Sequence, residues 1–303
     1  MTNRACFAGY ADIVSNHLKV AFGCMKASFE PTELNYQTTI EALHVALDAG
    51  VRFFDTADIY APAWNAFGHN EQLIAEALRS YSGNTEDLIV ATKGGITRKP
   101  GEVWGRNASL DYLLRAAEAS AGRLQVSELE LWQHHRLDPN LPFEVQLENL
   151  AGLRERGIFK RLGVSNYSAK QLRRATEVAG PIYSVQNQLS PVYRQELDVL
   201  EVCEELGIVY LPWSPMKGVG SVPVLAEIGL EVGASPYAVA FAWLQSLSEQ
   251  IMVMPGVSRV ETALDAISAS KLVLSVDQLA RVEAGLPETE PMHWELLSDQ
   301  PKS

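Results

Sequence analysis

Short apolar runs alternate along the chain with longer segments in which apolar residues recur every three or four positions. The runs have the length and the β-branched or aromatic content of buried strands, and a helix-like segment follows each of them. This alternation is typical of a parallel sheet with helical crossovers. The predicted strands cover residues 20–25, 52–55, 88–92, 129–134, 161–165, 182–186, 208–212 and 251–254.

Helical periodicity between the runs predicts where several helices begin and end. The apolar face over residues 40–47 precedes Gly50, a glycine placed where helices commonly end. A second apolar face over residues 73–78 follows Asn70, which we expect to be an N-cap. The same spacing predicts further helices over residues 110–124, 143–153, 169–178 and 197–206.

Eight strand and helix units favour closure into an α/β fold of the (β/α)8 TIM barrel type over an open, doubly wound sheet. No change of composition and no Pro/Gly/Ser-rich linker divides the chain, so we predict a single domain over residues 1–303. We expect an N-terminal β segment before the barrel, and an irregular C-terminal tail over residues 288–303.

Composition restricts the classes of partner and the compartment. The chain has 47% hydrophobic and 20% charged residues, as in ordinary globular proteins, and its formal net charge of −12 argues against a nucleic-acid partner. The three cysteines, Cys6, Cys24 and Cys203, are too few and too widely spaced for a disulfide framework. Residues 1–15 lack the pattern of a secretory signal, and no apolar stretch is long enough to span a bilayer. We therefore expect a cytoplasmic protein with no membrane contact.

Polar residues with useful chemistry follow three consecutive predicted strands. Asp55 ends the second run with Tyr60 five residues later, Lys93 follows the third run, and His134 and His135 end the fourth. Each residue alone has a simpler explanation, as a cap, a solvated lysine or a packing side chain. The working residues of (β/α)8 barrels lie at the carboxyl ends of the strands, so we expect this set to meet there.

In this order the segments resemble the aldo-keto reductase superfamily, and the resemblance covers nearly the whole chain. The segments that carry it are Phe54-Asp55-Thr56-Ala57 with Tyr60, Thr92-Lys93, His135-Arg136 before Asp138-Pro139, Gly163-Val164-Ser165-Asn166, and Gln186-Asn187. The resemblance implies reduction of a small-molecule carbonyl substrate by hydride transfer from a nicotinamide cofactor. No GxGxxG motif opens a first βα unit, so a Rossmann dehydrogenase is not indicated.

Under this reading the alkoxide that forms on hydride addition takes its proton from Tyr60. Lys93 supplies the positive charge that makes the phenol a better acid, and Asp55 holds Lys93 by an ion pair. His135 orients the carbonyl oxygen, because the histidine of the family directly precedes the Arg-x-Asp-Pro segment. Strand alternation then turns His134 to the opposite face, where we expect it to pack. A metal site at the adjacent histidines has no third ligand at suitable spacing.

The resemblance also implies the residues that bind the cofactor, which we expect to be NADPH (NADP+). Side chains that can bond the carboxamide are expected to hold it, an indole is expected to stack on the nicotinamide, and a basic side chain near a helix start is expected to clamp the 2′-phosphate. Two positions near the adenine, Thr262 and Ala266, depart from the Gln or Glu and the Asn that relatives often carry. The expected residues are Ser165, Asn166 and Gln186 for the carboxamide, Trp213 for stacking, Gly23, Ser214, Met216 and Lys217 along the cofactor, and Gly256, Ser258 and Arg259 after the last strand.

The substrate side is less defined. The segment from Tyr60 to Glu71 is about five residues longer than in relatives, and Trp64, Trp104 and Trp294 either line the substrate pocket or only pack the loops. Two other functions stay open: a cofactor-binding regulatory subunit resembling the potassium-channel β-subunits, and a barrel isomerase or aldolase with Lys93 as a Schiff base. We expect a monomer or a weak homo-oligomer.

Overall fold

The computed structural model describes residues 18–29 and 33–289. The predicted N-terminal β segment, Cys6, Trp294 and nearly all of the predicted tail lie outside the described residues.

Seven strands form one parallel sheet, in which each strand pairs with the next sheet strand along the chain. A separate antiparallel hairpin, β4 and β5, interrupts the series after β3. The sheet order is therefore β1-β2-β3-β6-β7-β8-β9. The strands are β1 (Phe22–Gly23), β2 (Phe53–Asp55), β3 (Ile89–Gly94), β4 (Ile96–Lys99), β5 (Val103–Arg106), β6 (Leu129–His134), β7 (Phe159–Ser165), β8 (Ser184–Gln186) and β9 (Val209–Tyr210).

The eighth predicted strand is wrong as a strand. Residues 251–256 form only isolated parallel bridges, to Tyr210 of β9 on one side and to Val20 and Gly23 on the other. Pro255 lies in this segment and has no N–H to donate, so one hydrogen bond of the pairing is missing there. The bridges nevertheless bring the segment against both edges of the curled sheet.

Helices follow the strands as the periodicity predicts, with additional short helices after β9. Their apolar faces and the outward residues of the strands build the larger of the hydrophobic clusters. The helices are α1 (Lys26–Phe29), α2 (Glu33–Asp48), α3 (His69–Ser80), α4 (Leu110–Leu124), α5 (Phe143–Arg154), α6 (Ala169–Val178), α7 (Leu197–Leu206), α8 (Pro223–Val232), α9 (Pro236–Leu247), α10 (Val260–Ala269) and α11 (Val276–Gly285).

Neighbouring residues of one strand belong to different clusters, as strand alternation requires. Phe54 packs outward with the helices, whereas Phe53 joins a smaller cluster with Ile89, Leu131 and Met252 on the opposite face of the sheet. That face is apolar below the strand ends. The polar residues described next lie at the carboxyl ends, above this inner cluster.

Two helix termini test the capping predictions. Gly50 has φ of 94° two residues after the end of α2, in the left-handed region that glycine tolerates. The predicted N-cap at Asn70 is wrong, because α3 begins at His69 and its N-cap is Gly68. The Asn70 side chain instead accepts a hydrogen bond from Thr56 and donates one to the Cys24 carbonyl, which ties α3 to the loop after β2.

Across the described residues no single helix is long and apolar enough to cross a membrane. Length and composition would allow it only for α8 and α9 taken together, and these two helices meet at an angle of 98°.

Candidate active site

The ends of β2, β3 and β6 bring four of the predicted residues together. Asp55 is the last residue of β2, Lys93 lies near the end of β3, and His135 directly follows β6. Lys93 Nζ lies 2.6 Å from Asp55 Oδ2 and 3.1 Å from the Tyr60 hydroxyl oxygen. The parallel register places these strand ends at one edge of the sheet, so residues far apart in sequence share one site.

Lys93 is fully buried, and its ammonium group is saturated with acceptors. It donates to Asp55, to Tyr60 and, over 2.7 Å, to the Thr56 carbonyl oxygen. Burial alone would lower the pKa of Lys93, but the interactions with Asp55 and Tyr60 together more than offset this and the pKa is raised. A Schiff base requires a neutral, accessible amine, so this arrangement argues against the aldolase alternative.

Asp55 is held by amides on its other oxygen. Gln186 and Gln133 donate to Asp55 Oδ1 over 2.9 Å and 3.3 Å. Gln133 was not among the predicted site residues. The available signal was a glutamine near the end of the predicted buried strand β6, where a buried amide needs a polar partner.

Tyr60 and His135 lie against each other at the cavity surface, with ring centroids 5.8 Å apart in an edge-to-face arrangement. Burial raises the pKa of the Tyr60 phenol, and the Lys93 charge opposes this. Burial, with the charges of Lys93 and Arg136, holds the pKa of His135 well below its usual value, so the imidazole is neutral. His134 is fully buried, and its Nδ1 lies 2.8 Å from the Tyr167 hydroxyl.

A cavity of about 680 Å³ opens above these residues. Its wall contains most of the predicted cofactor residues, together with Asp55, Tyr60, His135 and Trp104, while Lys93 lies directly behind it. The sequence reasoning missed several side chains of the wall, most of them apolar or aromatic and therefore indistinguishable in sequence from core residues. The missed residues are Met25, Lys26, Phe29, Ile59, Ile96, Arg136, Pro215, Tyr237 and Met254.

The predicted carboxamide residues form one hydrogen-bonded group beside Trp213. The Trp213 indole donates to Asn166 Oδ1 over 3.0 Å, and Asn166 Nδ2 donates to Ser165 Oγ over 2.7 Å. Gln186 reaches the group through its carbonyl oxygen, which accepts from Ser165 Oγ over 2.9 Å. Hydroxyl and amide groups that both donate and accept suit a primary carboxamide.

Asn166 has φ of 60°, an uncommon conformation for a residue other than glycine. Its backbone N–H donates to Asn187 Oδ1 over 2.8 Å, and Asn187 in turn donates to Glu196 over 2.7 Å. Burial raises the pKa of Glu196 to about 7. Glu196 is therefore connected to the cavity wall through hydrogen bonds to Asn187 and from there to Asn166. The sequence gives no sign of this connection, because Glu196 lies 30 residues after Asn166.

Of the remaining predicted cofactor residues, five line the cavity and two do not. Gly23, Gly256, Ser214, Met216 and Lys217 line it. Ser258 and Arg259 do not contribute to its wall, and Arg259 is the exposed N-cap residue of α10.

The longer loop after Tyr60 is fastened to the β4–β5 hairpin. Arg98 of β4 donates to the carbonyl oxygens of Ala61 and Pro62 and pairs with Glu102. Glu102 also accepts a hydrogen bond from the Trp64 backbone N–H over 3.0 Å.

Of the two described tryptophans predicted for the substrate side, only Trp104 belongs to the cavity wall, where the Arg98 guanidinium lies 4.8 Å from its ring centroid. Trp64 is outside the wall. Within the described part of the chain, no group of three or more His, Cys, Asp or Glu side chains could hold a metal ion.

Comparisons with known proteins agree with the motif-based resemblance. The model of the Aldo/keto reductase family matches residues 19–223. An uncharacterized oxidoreductase of Schizosaccharomyces pombe is 30% identical over 280 residues, which cover 90% of this chain and 87% of that protein.

Solved structures share the fold at lower identity. A glycerol dehydrogenase from Gluconobacter oxydans superposes with a TM-score of 0.76 at 21% identity, covering 94% of both chains. An aldo/keto reductase from Klebsiella pneumoniae, solved with NADP and acetate, has a TM-score of 0.73 at 20% identity, covering 90% of this chain and 93% of its own.

Proposed function

Because the chain belongs to the aldo/keto reductase family, we propose that it is an NADPH-dependent oxidoreductase that reduces an aldehyde, a ketone or a keto-sugar to the alcohol. One observation carries the proposal. The buried Lys93 ammonium bonds both Asp55 and the Tyr60 hydroxyl at the floor of the cavity. This is the arrangement that a proton donor to a developing alkoxide needs.

Bound NADPH supplies the hydride, and the protein supplies the proton and the orientation. Tyr60, whose pKa burial keeps high, is protonated at neutral pH and donates its proton to the carbonyl oxygen. Lys93 stabilises the phenolate that remains, and Asp55 keeps Lys93 charged and in place. The neutral His135 imidazole donates a hydrogen bond to the same oxygen, which fixes the carbonyl against Tyr60.

The cavity fits the cofactor by its chemistry. Ser165, Asn166 and Gln186 offer the donors and acceptors that a carboxamide requires, beside the Trp213 indole. Arg259, exposed at the start of α10, is assigned to the 2′-phosphate. The Klebsiella pneumoniae reductase solved with NADP supports the choice of cofactor.

We also infer that residues 251–256 close the sheet into a complete barrel, since they bridge to both of its edges. One domain over residues 1–303 and a monomer or weak homo-oligomer are part of the same proposal. A reducing, cytoplasmic location agrees with Cys24 and Cys203, which are both free thiols.

The test is NADPH consumption over a panel of aldehydes, ketones, quinones and keto-sugars, with Tyr60→Phe as the variant. General acid catalysis contributes about 10²- to 10⁴-fold, so we expect kcat to fall by about that factor while NADPH affinity, measured by fluorescence titration, is retained. Unchanged turnover in Tyr60→Phe would remove Tyr60 as the proton donor. NADPH binding without turnover of any carbonyl would favour a regulatory subunit instead.

A further inference from the structure

Arg136 is a charged side chain in the cavity wall that forms no ion pair with any of the described residues. Its side chain lines the cavity, yet the residue is only 8% exposed, and its Nη1 atom is buried with no hydrogen-bond partner among the described residues. Two other partly buried arginines of the fold form ion pairs, Arg123 with Glu71 and Arg161 with Glu130. Arg136 forms no such ion pair within residues 18–29 and 33–289.

This arrangement costs folding free energy, because an ion removed from water needs a counter-charge or hydrogen bonds in compensation. Burial lowers the pKa of Arg136 to about 10, and the nearby charge of Arg106 acts in the same direction. The guanidinium therefore remains protonated at neutral pH. The acidic side chain that acts on it, Glu196, is bonded to Asn187 instead. A costly unpaired charge at a cavity wall is typical of a residue retained for binding.

The position of Arg136 relates it to the reacting group. It directly follows His135, and its guanidinium carbon lies 5.9 Å from the centroid of the Trp213 ring. Its charge also reaches Tyr60, whose pKa it lowers slightly against the larger effect of burial. An anion bound to the guanidinium would thus lie close to a carbonyl group held by Tyr60 and His135.

We propose that Arg136 recognises a carboxylate on the substrate and that the preferred substrates are oxo acids, with the carboxylate next to the reacting carbonyl. A guanidinium presents two parallel N–H donors that match the two oxygens of a carboxylate. The aromatic rings of Phe29, Trp104 and Tyr237 in the same wall suit an apolar substituent on the other side of the carbonyl. The proposal rests on the reductase function given above.

The test compares benzoylformate with its methyl ester, which differ in charge but hardly in shape. The measured quantity is the ratio of kcat/KM for the acid to kcat/KM for the ester, so that intrinsic differences in carbonyl reactivity cancel between variants. We expect Arg136→Gln to lower this ratio at least about tenfold, mainly through KM for the acid, and Arg136→Lys to lower it less. Arg156→Gln removes an equal charge from an exposed site beyond the end of α5 and should leave the ratio unchanged.

Two further measurements separate binding from folding and from turnover. Removing an unpaired buried charge should raise the melting temperature in Arg136→Gln, whereas a residue with a structural role would lower it. Benzoate affinity of the NADP-loaded protein, followed by tryptophan fluorescence, should fall about tenfold in Arg136→Gln but not in Arg156→Gln.

A ratio and a benzoate affinity that stay within threefold of the parent protein would overturn the proposal while the reductase function stands. If the parent protein reduces neither compound nor any other carbonyl, the reductase function fails, and the benzoate titration still decides the role of Arg136. A preference for glycolaldehyde phosphate over benzoylformate that is lost in Arg136→Gln would replace the carboxylate by a phosphate and overturn the oxo-acid assignment.

Discussion

Removing both partners of the Lys93–Asp55 pair should destabilise the protein no more than removing one. The two side chains are 0% and 3% exposed and their charged atoms are 2.6 Å apart, so neither charge can be hydrated when the other is lost. Breaking a buried pair on one side costs about 3–5 kcal/mol. Asp55 would keep its two glutamine donors and Lys93 its bonds to Thr56 and Tyr60, so we expect the lower end, about 3 kcal/mol, for Lys93→Met and for Asp55→Asn.

The double variant removes both charges, so its loss of stability should resemble that of one single variant. The interaction energy in the double-mutant cycle should then be about 2–3 kcal/mol. Turnover behaves differently, because Tyr60 loses its cationic neighbour in Lys93→Met and in the double variant alike. The second substitution should therefore cost little further stability, while NADPH-dependent turnover stays as low as in Lys93→Met.

The assay is urea unfolding followed by tryptophan fluorescence, with NADPH consumption measured on the same preparations. Arg173→Gln breaks the exposed pair with Glu205 and serves as the control, with no measurable change of midpoint expected. Losses of stability that simply add in the double variant would refute the view of a tightly coupled buried pair. Recovery of turnover in the double variant would refute the role of Lys93 in proton donation.

Three other consequences can be measured directly. Burial raises the pKa of Glu196 from 4.5 to about 7, so the folded protein holds this proton more tightly than the unfolded chain and stability falls as the pH rises through that interval. The loss should be about 3 kcal/mol between pH 4.5 and 8 in urea titrations, and Glu196→Gln should flatten it. Arg98→Ala should release the loop after Tyr60, seen as faster proteolytic cleavage there and a higher KM for the carbonyl substrate. Cleavage at the parent rate would contradict the role of Arg98 in holding this loop. Arg259→Ala should weaken NADPH binding about tenfold and NADH binding little, and an equal loss for both would remove Arg259 from the 2′-phosphate.

Most strands of the sheet could be predicted because each one coincides with a short apolar run in the local sequence. The parallel sheet follows from short apolar runs separated by helical periodicity, and seven of the predicted runs overlap a strand of the sheet. The strand prediction for residues 251–254 was wrong because the pairing of this run depends on both edge strands at once. Such long-range pairing leaves no signal in the local sequence. The β4–β5 hairpin was missed for a similar reason, because its exposed strands lack the apolar content of buried ones.

The centre of the site could be predicted for a geometric reason. Carboxyl ends of parallel strands converge, so Asp55, Lys93 and His135 must meet once the strand order is known. The residues that support them could not be found this way. Gln133 and Glu196 act through hydrogen bonds between distant segments, and only the folded chain reveals their partners.

The charges around Tyr60 link substrate recognition to proton donation. Lys93 is neutralised by Asp55, whereas Arg136 has no such partner among the described residues, so the floor of the cavity carries uncompensated positive charge in a protein whose formal net charge is −12. With a neutral carbonyl compound, both cations favour the Tyr60 phenolate that forms on proton transfer. A carboxylate bound to Arg136 would cancel the second contribution and leave Lys93 to act alone. Oxo acids should therefore gain in binding more than in the chemical step, so their advantage over the matched esters should lie in KM and not in kcat.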